Sequence, residues 1–301
     1  MDPLALFVNI LPLAALVALG HAAARWGEVD ARSLATVAIY ILVPVVVFGF
    51  LAQADLRPAF VALPFVAFAL HAGITLAVWR LARAVYPDSR ANLLAMVVGT
   101  ANAGYMGLPV AAALFPPEQV GVYALLLIGD VVYGATVFYY VAARGRFSVG
   151  ESMGKLARFP LVYAAAAGLA VNLAGVPLPA ALWDAWEPCK GAYVVVGMMA
   201  LGAALPRRMV FAPRFVGLAC AGKFVAWPAA ALALIWAAGP VLPPEAGGLL
   251  LAFAALPPAV GSVAYAAALD LRPEKAATTV LAATAASLIT IPLTLWALGV
   301  E

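Results

Sequence analysis

The stretch GTANAGYMGLPV, Gly99 to Val110, sets an amide, three glycines and a proline inside an otherwise apolar run. In hydrocarbon an unpaired backbone N–H or C=O is expensive, so a helix broken there persists only inside protein or beside a wet cavity. Pro109 lacks an N–H and its ring clashes with the carbonyl four residues back, that of Tyr105, which predicts the break. Gly104 and Gly107 permit unwound backbone and close approach of a second helix. Asn102 offers donors and an acceptor to freed backbone groups or to a cavity. Tight small-residue packing is the plainer reading of the glycines. The Asn and Pro beside them argue against packing alone.

The rest of the chain says what surrounds this segment. Its 301 residues are 66% apolar and only 10% charged, with a mean hydropathy of +1.04. Soluble domains are about half apolar and about a quarter charged, so this is an integral protein of the lipid bilayer with no separate soluble domain. Spans of about 20 apolar residues are expected near 4–24, 33–53, 59–80, 91–115, 118–142, 159–176, 188–205, 214–237, 246–269 and 275–298. The first is read as a span and not a signal peptide, because Met1-Asp2-Pro3 carries no basic residue.

Of the 17 Lys and Arg, Arg57 and Lys190 fall on one side of these spans and Lys223 falls inside one; the other 14 lie in the alternate loops. Basic loops stay cytoplasmic, so both termini are expected outside a cytoplasmic (inner) membrane crossed many times. The charges thus set topology, and no nucleic-acid partner is expected. Cys189 and Cys220 fit no metal or redox spacing, and neither a metal nor a cofactor is expected.

The two halves echo each other. VAAAL at 110–114 answers YAAAL at 265–269, each followed by an acidic start, Glu118 and Glu274, and His71 falls opposite Lys223. Five spans per half is an odd number, so the repeat must be inverted, a transporter architecture with its site between interrupted helices. The repeat places the second interruption in ALPPAVGSVAYA, at Pro257, Pro258 and Ser262. Half-helix N-termini at such breaks favour an anion and the matching C-termini a cation, so the breaks alone leave the two open. Ser262 can equally bond its own backbone, and Asn102 can serve as a purely structural hydrogen-bonding group.

Asp130 lies mid-span in LIGDVVYG, where a charge costs on the order of 3 kcal/mol and requires a partner, water or a proton. It reads as a coupling site or a cavity group, the alternative being a buried Asp satisfied by neighbours. Lys223 can attract a substrate carboxylate, neutralise Asp130 or snorkel. His71 can respond to pH, although a lone His is more often packed and hydrogen-bonded; His21 sits at a span end. Tyr105 and Tyr133 can stack on an aromatic acid or pack between helices.

With both segments in view, a resemblance emerges. ANAGYMGLPV is similar to the N-x-G-x-x-G-L-P segment of the auxin efflux carrier family, and LPPAVGSVAYA to that family's ninth span. SLITIPLTL at 287–295 and YILVPVVVF at 40–48 resemble its last and second spans. The short 144–158 loop points to the compact bacterial branch. The resemblance implies a scaffold of spans 1, 2, 6 and 7 (1–57 and 159–206), a homodimer through it, and a moving domain of spans 3–5 and 8–10 (58–143 and 207–301), with 144–158 as cytoplasmic linker.

The expected fold is thus an all-α polytopic membrane protein of ten helices in a 5+5 inverted repeat, with broken helices 4 and 9 crossed. The implied activity is elevator-type export of a small organic anion, a carboxylate or auxin-like acid. Its expected site is Asn102, Gly104, Tyr105, Gly107, Pro109, Pro257, Pro258 and Ser262, with Asp130, Lys223 and His71 as coupling or charge residues. The main rival is a sodium- or proton-coupled carrier of the bile-acid-transporter type. Enzymes fare poorly: aspartyl proteolysis needs two deep Asp, and Ser262 with His71 or His21 lacks the rhomboid setting. A non-transporting receptor has no use for two matched breaks.

Overall fold

The computed structural model describes residues 3–54, 56–142, 158, 160–205, 209–239, 242–269 and 271–297. Among them the only regular structure is helical. In chain order come α1 (Pro3–Trp26), α2 (Ala31–Ala52), α3 (Leu63–Val85), α4 (Arg90–Gly99), α5 (Leu108–Leu114), α6 (Pro117–Ala142), α7 (Pro160–Ala174) and α8 (Ala180–Ala203). Then follow α9 (Pro213–Ala238), α10 (Pro244–Ala254), α11 (Gly261–Ala268) and α12 (Pro273–Ala297).

Local chemistry sets many of these ends. α6, α10 and α12 each open on Pro-Glu, at 117–118, 244–245 and 273–274. Proline fits the first turn, where its N–H is not needed, and the glutamate faces the positive end of the helix dipole. Asp30 caps α2, accepting from the Ser33 hydroxyl at 2.7 Å and from the backbone N–H groups of Ser33 and Arg32. The Ser33 hydroxyl, then those N–H groups, hold its carboxyl below the usual carboxylate range.

Four π turns interrupt the helices among the described residues: Ala38–Leu42, Ala103–Gly107, Gly134–Phe138 and Gly222–Ala226. In three of them a proline follows closely, Pro44, Pro109 and Pro228. The wider turn absorbs the register that a proline disrupts.

Among the described residues, six stretches are long and apolar enough to cross a membrane: α2, α3, the α4–α5 stretch Arg90–Leu114, α6, α9 and α12. Leu11–Trp26, α7 and α10 are shorter apolar helices. The span expected near 188–205 needs correcting, because α8 begins at Ala180. Asp184, Glu187 and Lys190 suggest a loop in sequence, yet they ride on a less buried stretch of helix, where Lys190 pairs with Glu187 at 2.7 Å. Pro188 is tolerated because the carbonyl it frees, that of Asp184, lies on an exposed residue. Of the basic loop residues, Arg144, Arg146, Lys155, Arg207 and Arg208 lie outside the described residues, as do both termini.

Glycines bring α1, α2, α7 and α8 into backbone contact. A Cβ on Gly20 of α1 would strike the Met199 backbone of α8, and one on Gly202 of α8 would strike the Val17 carbonyl of α1. This is the close small-residue packing of membrane helices. Gly168 of α7 meets the Phe48 carbonyl of α2 in the same way. Asn172 of α7 donates to the Leu51 and Ala54 carbonyls at 2.9 and 2.7 Å, capping the end of α2. Elsewhere α3 packs along α4 and α6. The most apolar part of Arg90–Leu114 is 89% buried, against 28% for Pro213–Ala238. The interrupted stretch therefore lies at the centre of the molecule.

Candidate functional site

α4 stops at Gly99, and Thr100 turns extended at φ −91° and ψ 154°. A helix end inside an apolar protein leaves carbonyls without partners. Here side chains take them. The Thr100 hydroxyl donates to Val97 C=O at 3.0 Å, the Trp227 indole N–H of α9 to Val98 C=O at 2.7 Å, and His71 Nδ1 of α3 to Gly99 C=O at 2.7 Å.

The second interruption follows α10. Asn102 N–H donates to Pro257 C=O at 2.8 Å, and Ala259 N–H donates to the Thr100 hydroxyl at 3.2 Å. The two breaks thus satisfy each other's backbone.

After Asn102 the chain makes the π turn, with Gly107 N–H on Asn102 C=O at 2.9 Å and Leu108 N–H on Ala103 C=O. In this register Pro109 frees the carbonyl of Gly104, and not that of Tyr105 as an α-helical spacing predicts. The Tyr193 hydroxyl of α8 donates to that Gly104 carbonyl. Tyr105 reaches the Ala35 carbonyl of α2 at 3.4 Å.

Beside the paired breaks lies a cavity of about 440 Å³, a size that suits a small organic molecule. Its wall includes Thr100, Asp130, Tyr133, Ala259, Gly261 and Ser262, with Tyr40, Tyr265 and Arg158 farther round. Of the residues singled out from sequence, Asp130, Tyr133 and Ser262 line it. Ser262 donates to the Ala259 carbonyl at 2.6 Å. Asn102, Gly104, Tyr105, Gly107, Pro109, Pro257 and Pro258 form the breaks next to this cavity without lining it. Asn102 is 2% exposed, and its Nδ2 donor has no hydrogen-bond partner among the described residues.

The three charge residues converge. His71 is fully buried, stacked on Tyr133 at 4.5 Å between ring centroids and edged by Trp227 and Phe253. Its Nε2 lies 3.1 Å from Asp130 Oδ1, at ion-pair distance but off the hydrogen-bond line. Lys223 does not snorkel. It is fully buried, with Nζ 3.5 Å from the centre of the Trp227 ring, and a cation over an aromatic face is attracted by the ring quadrupole. Thr75 and Tyr133 close the cluster with an O···O bond of 2.6 Å.

Trp227, Thr75 and Tyr193 are not legible in sequence as parts of this arrangement. The one local hint is that Trp227 follows Lys223 by one helical turn and precedes Pro228.

A polytopic helical protein with paired interruptions, a central cavity and buried charges has the form of a membrane transporter. Residues 5–145, just under half of the chain, match the family model described as membrane transport protein, the auxin efflux carrier family, and this part of the chain is similar to that family. The matched segment contains the first interruption and ends just beyond α6. No curated protein matches the chain.

Proposed function

We propose that the protein is a membrane transporter that moves a small organic anion, a carboxylate or auxin-like acid, by elevator-type alternating access, with export as the direction the family resemblance implies. One observation carries the reading: two interrupted helices are hydrogen-bonded to each other through Asn102 and Pro257 at the edge of a 440 Å³ cavity. Arg158 and the surrounding hydroxyls suit an anion, and the unpartnered Asn102 Nδ2 is the donor a carboxylate at the break would take.

In this reading the halves form a 5+5 inverted repeat with crossed spans 4 and 9. α1, α2, α7 and α8 form the scaffold and the dimer interface, and the remaining helices move. The glycine contacts within α1–α8 and α2–α7 support that division. The split of basic residues supports a cytoplasmic membrane location with both ends outside. A second reading, the cation-coupled carrier, is favoured by Asp130 in the cavity wall.

Uptake by proteoliposomes of mono- and dicarboxylates, indole acids and amino acids, with and without sodium, tests the proposal. Carboxylate uptake is expected in wild type. Asn102→Ala is expected to lower it about tenfold, the effect of one lost hydrogen bond to a charged ligand, with normal expression. Sodium-dependent uptake of neutral solutes alone would refute it.

A further inference from the structure

His71 is placed so that its protonation can be read from its partners. A carbonyl only accepts, so the 2.7 Å contact with Gly99 C=O fixes a proton on Nδ1. Nε2 then faces the Asp130 carboxyl at 3.1 Å. With Nε2 bare and Asp130 ionised, that contact sets a lone pair against an anion and is repulsive. One proton makes it attractive, either as imidazolium beside carboxylate or as imidazole beside carboxylic acid. Two protons would place an imidazolium in electrostatic range of the buried Lys223, which also lies in range of Asp130.

The pair has one way out. His71 is fully buried, whereas the Asp130 side chain is 24% exposed and lines the cavity. The groups around it are Lys223 from α9, Tyr123 and Tyr133 from α6, and the indole and phenyl rings of Trp227 and Phe253. Tyr40, Tyr139, Tyr265 and Arg158 also line the cavity. Asp130 is the acidic side chain among these.

We propose that the His71–Asp130 pair is a one-proton site that makes this protein an anion–proton symporter, so that export down the anion's own gradient carries a proton out and an inward proton gradient drives uptake, the proton entering and leaving through Asp130 at the cavity wall. The inference rests on the anion-transport reading. An anion in the cavity is repelled by an ionised Asp130 and accepted beside a pair that holds its proton. By linkage the proton and the anion therefore favour each other's binding. The Nδ1 proton is a different one: it stays in place and holds His71 against Gly99 C=O, the free end of α4. No bond other than those to the transferred proton forms or breaks.

The test uses the full chain in detergent, labelled with 15N-histidine and 13C-aspartate. The chain has two histidines, so His21→Gln leaves His71 as the sole imidazole signal, and Asp130→Asn identifies the Asp130 carboxyl signal by its loss. Nδ1 is expected to stay protonated throughout a pH series, while Nε2 and the Asp130 carboxyl carbon change together in a single step. A bare Nδ1, two separate steps, or a His71 signal indifferent to Asp130→Asn overturns the one-proton site.

In proteoliposomes, an inward proton gradient is expected to accelerate uptake of the active carboxylates severalfold in wild type. In Asp130→Asn, the acceleration by the gradient is expected to be lost, and acceleration that survives at wild-type size overturns proton entry through Asp130. Wild-type uptake indifferent to the gradient overturns symport and leaves anion transport standing. If none of the carboxylates is taken up, the transport reading and the symport built on it both fall, while the labelled spectra still decide the one-proton site.

Discussion

At Gly99 an added methyl would strike Thr75 Oγ1 and the Tyr133 hydroxyl, which are bonded to each other, whereas at Gly104 it would find nothing within 4 Å. Both glycines belong to the interrupted segment, yet only the first is required by close approach of side chains. Gly99→Ala is expected to lower stability by about 1–3 kcal/mol, the usual effect of overpacking. Gly104→Ala should stay within about 0.5 kcal/mol of wild type. Thermal unfolding in detergent separates them, and equal losses would mean that the steric surroundings are misassigned. Gly107 resembles Gly99, since its methyl would strike the Tyr123 hydroxyl.

Helix contacts follow the same logic over longer stretches. α1 and α8 approach through Gly20 and Gly202, each set against the other's backbone, so neither side can yield by turning a side chain. Gly202→Val is therefore expected to separate the pair and cut the yield of folded protein sharply. Gly217→Ala in α9, where the added Cβ meets nothing, is expected to be neutral or to stabilise by about 0.5–1 kcal/mol through helix propensity. Size-exclusion profiles of the two variants make the comparison. A monodisperse, wild-type yield of Gly202→Val would show that α1 and α8 do not depend on backbone contact.

Across the whole molecule, the helix groups meet at the π turn Ala103–Gly107, where Tyr193 of α8 holds Gly104 C=O and Tyr105 reaches Ala35 of α2. The elevator movement proposed above would break both contacts. A variant lacking Cys189 and Cys220 and carrying Ala35→Cys and Tyr105→Cys, joined by a bifunctional thiol reagent, is expected to lose nearly all uptake. A reagent with a cleavable spacer should restore it on cleavage. Undiminished uptake after crosslinking would mean that α2 and this turn travel together.

Local chemistry alone determined the membrane setting, most helix positions, both interruptions and the anomaly of Asp130. Apolar run length, proline and glycine act within a few residues, so they are legible in order along the chain. It misplaced the start of α8, because charges on one exposed helical stretch look like a loop when faces are unknown. It also chose the wrong freed carbonyl, because an α-helical spacing does not anticipate a π turn. Only the tertiary structure decided which groups cap the broken helix: Trp227 reaches Val98 across 129 residues and Tyr193 reaches Gly104 across 89. Nor does any local pattern set His71 against Asp130. That contact exists because α3 and α6 pack side by side, and packing partners are chosen by the fit of whole faces and not by neighbours in sequence.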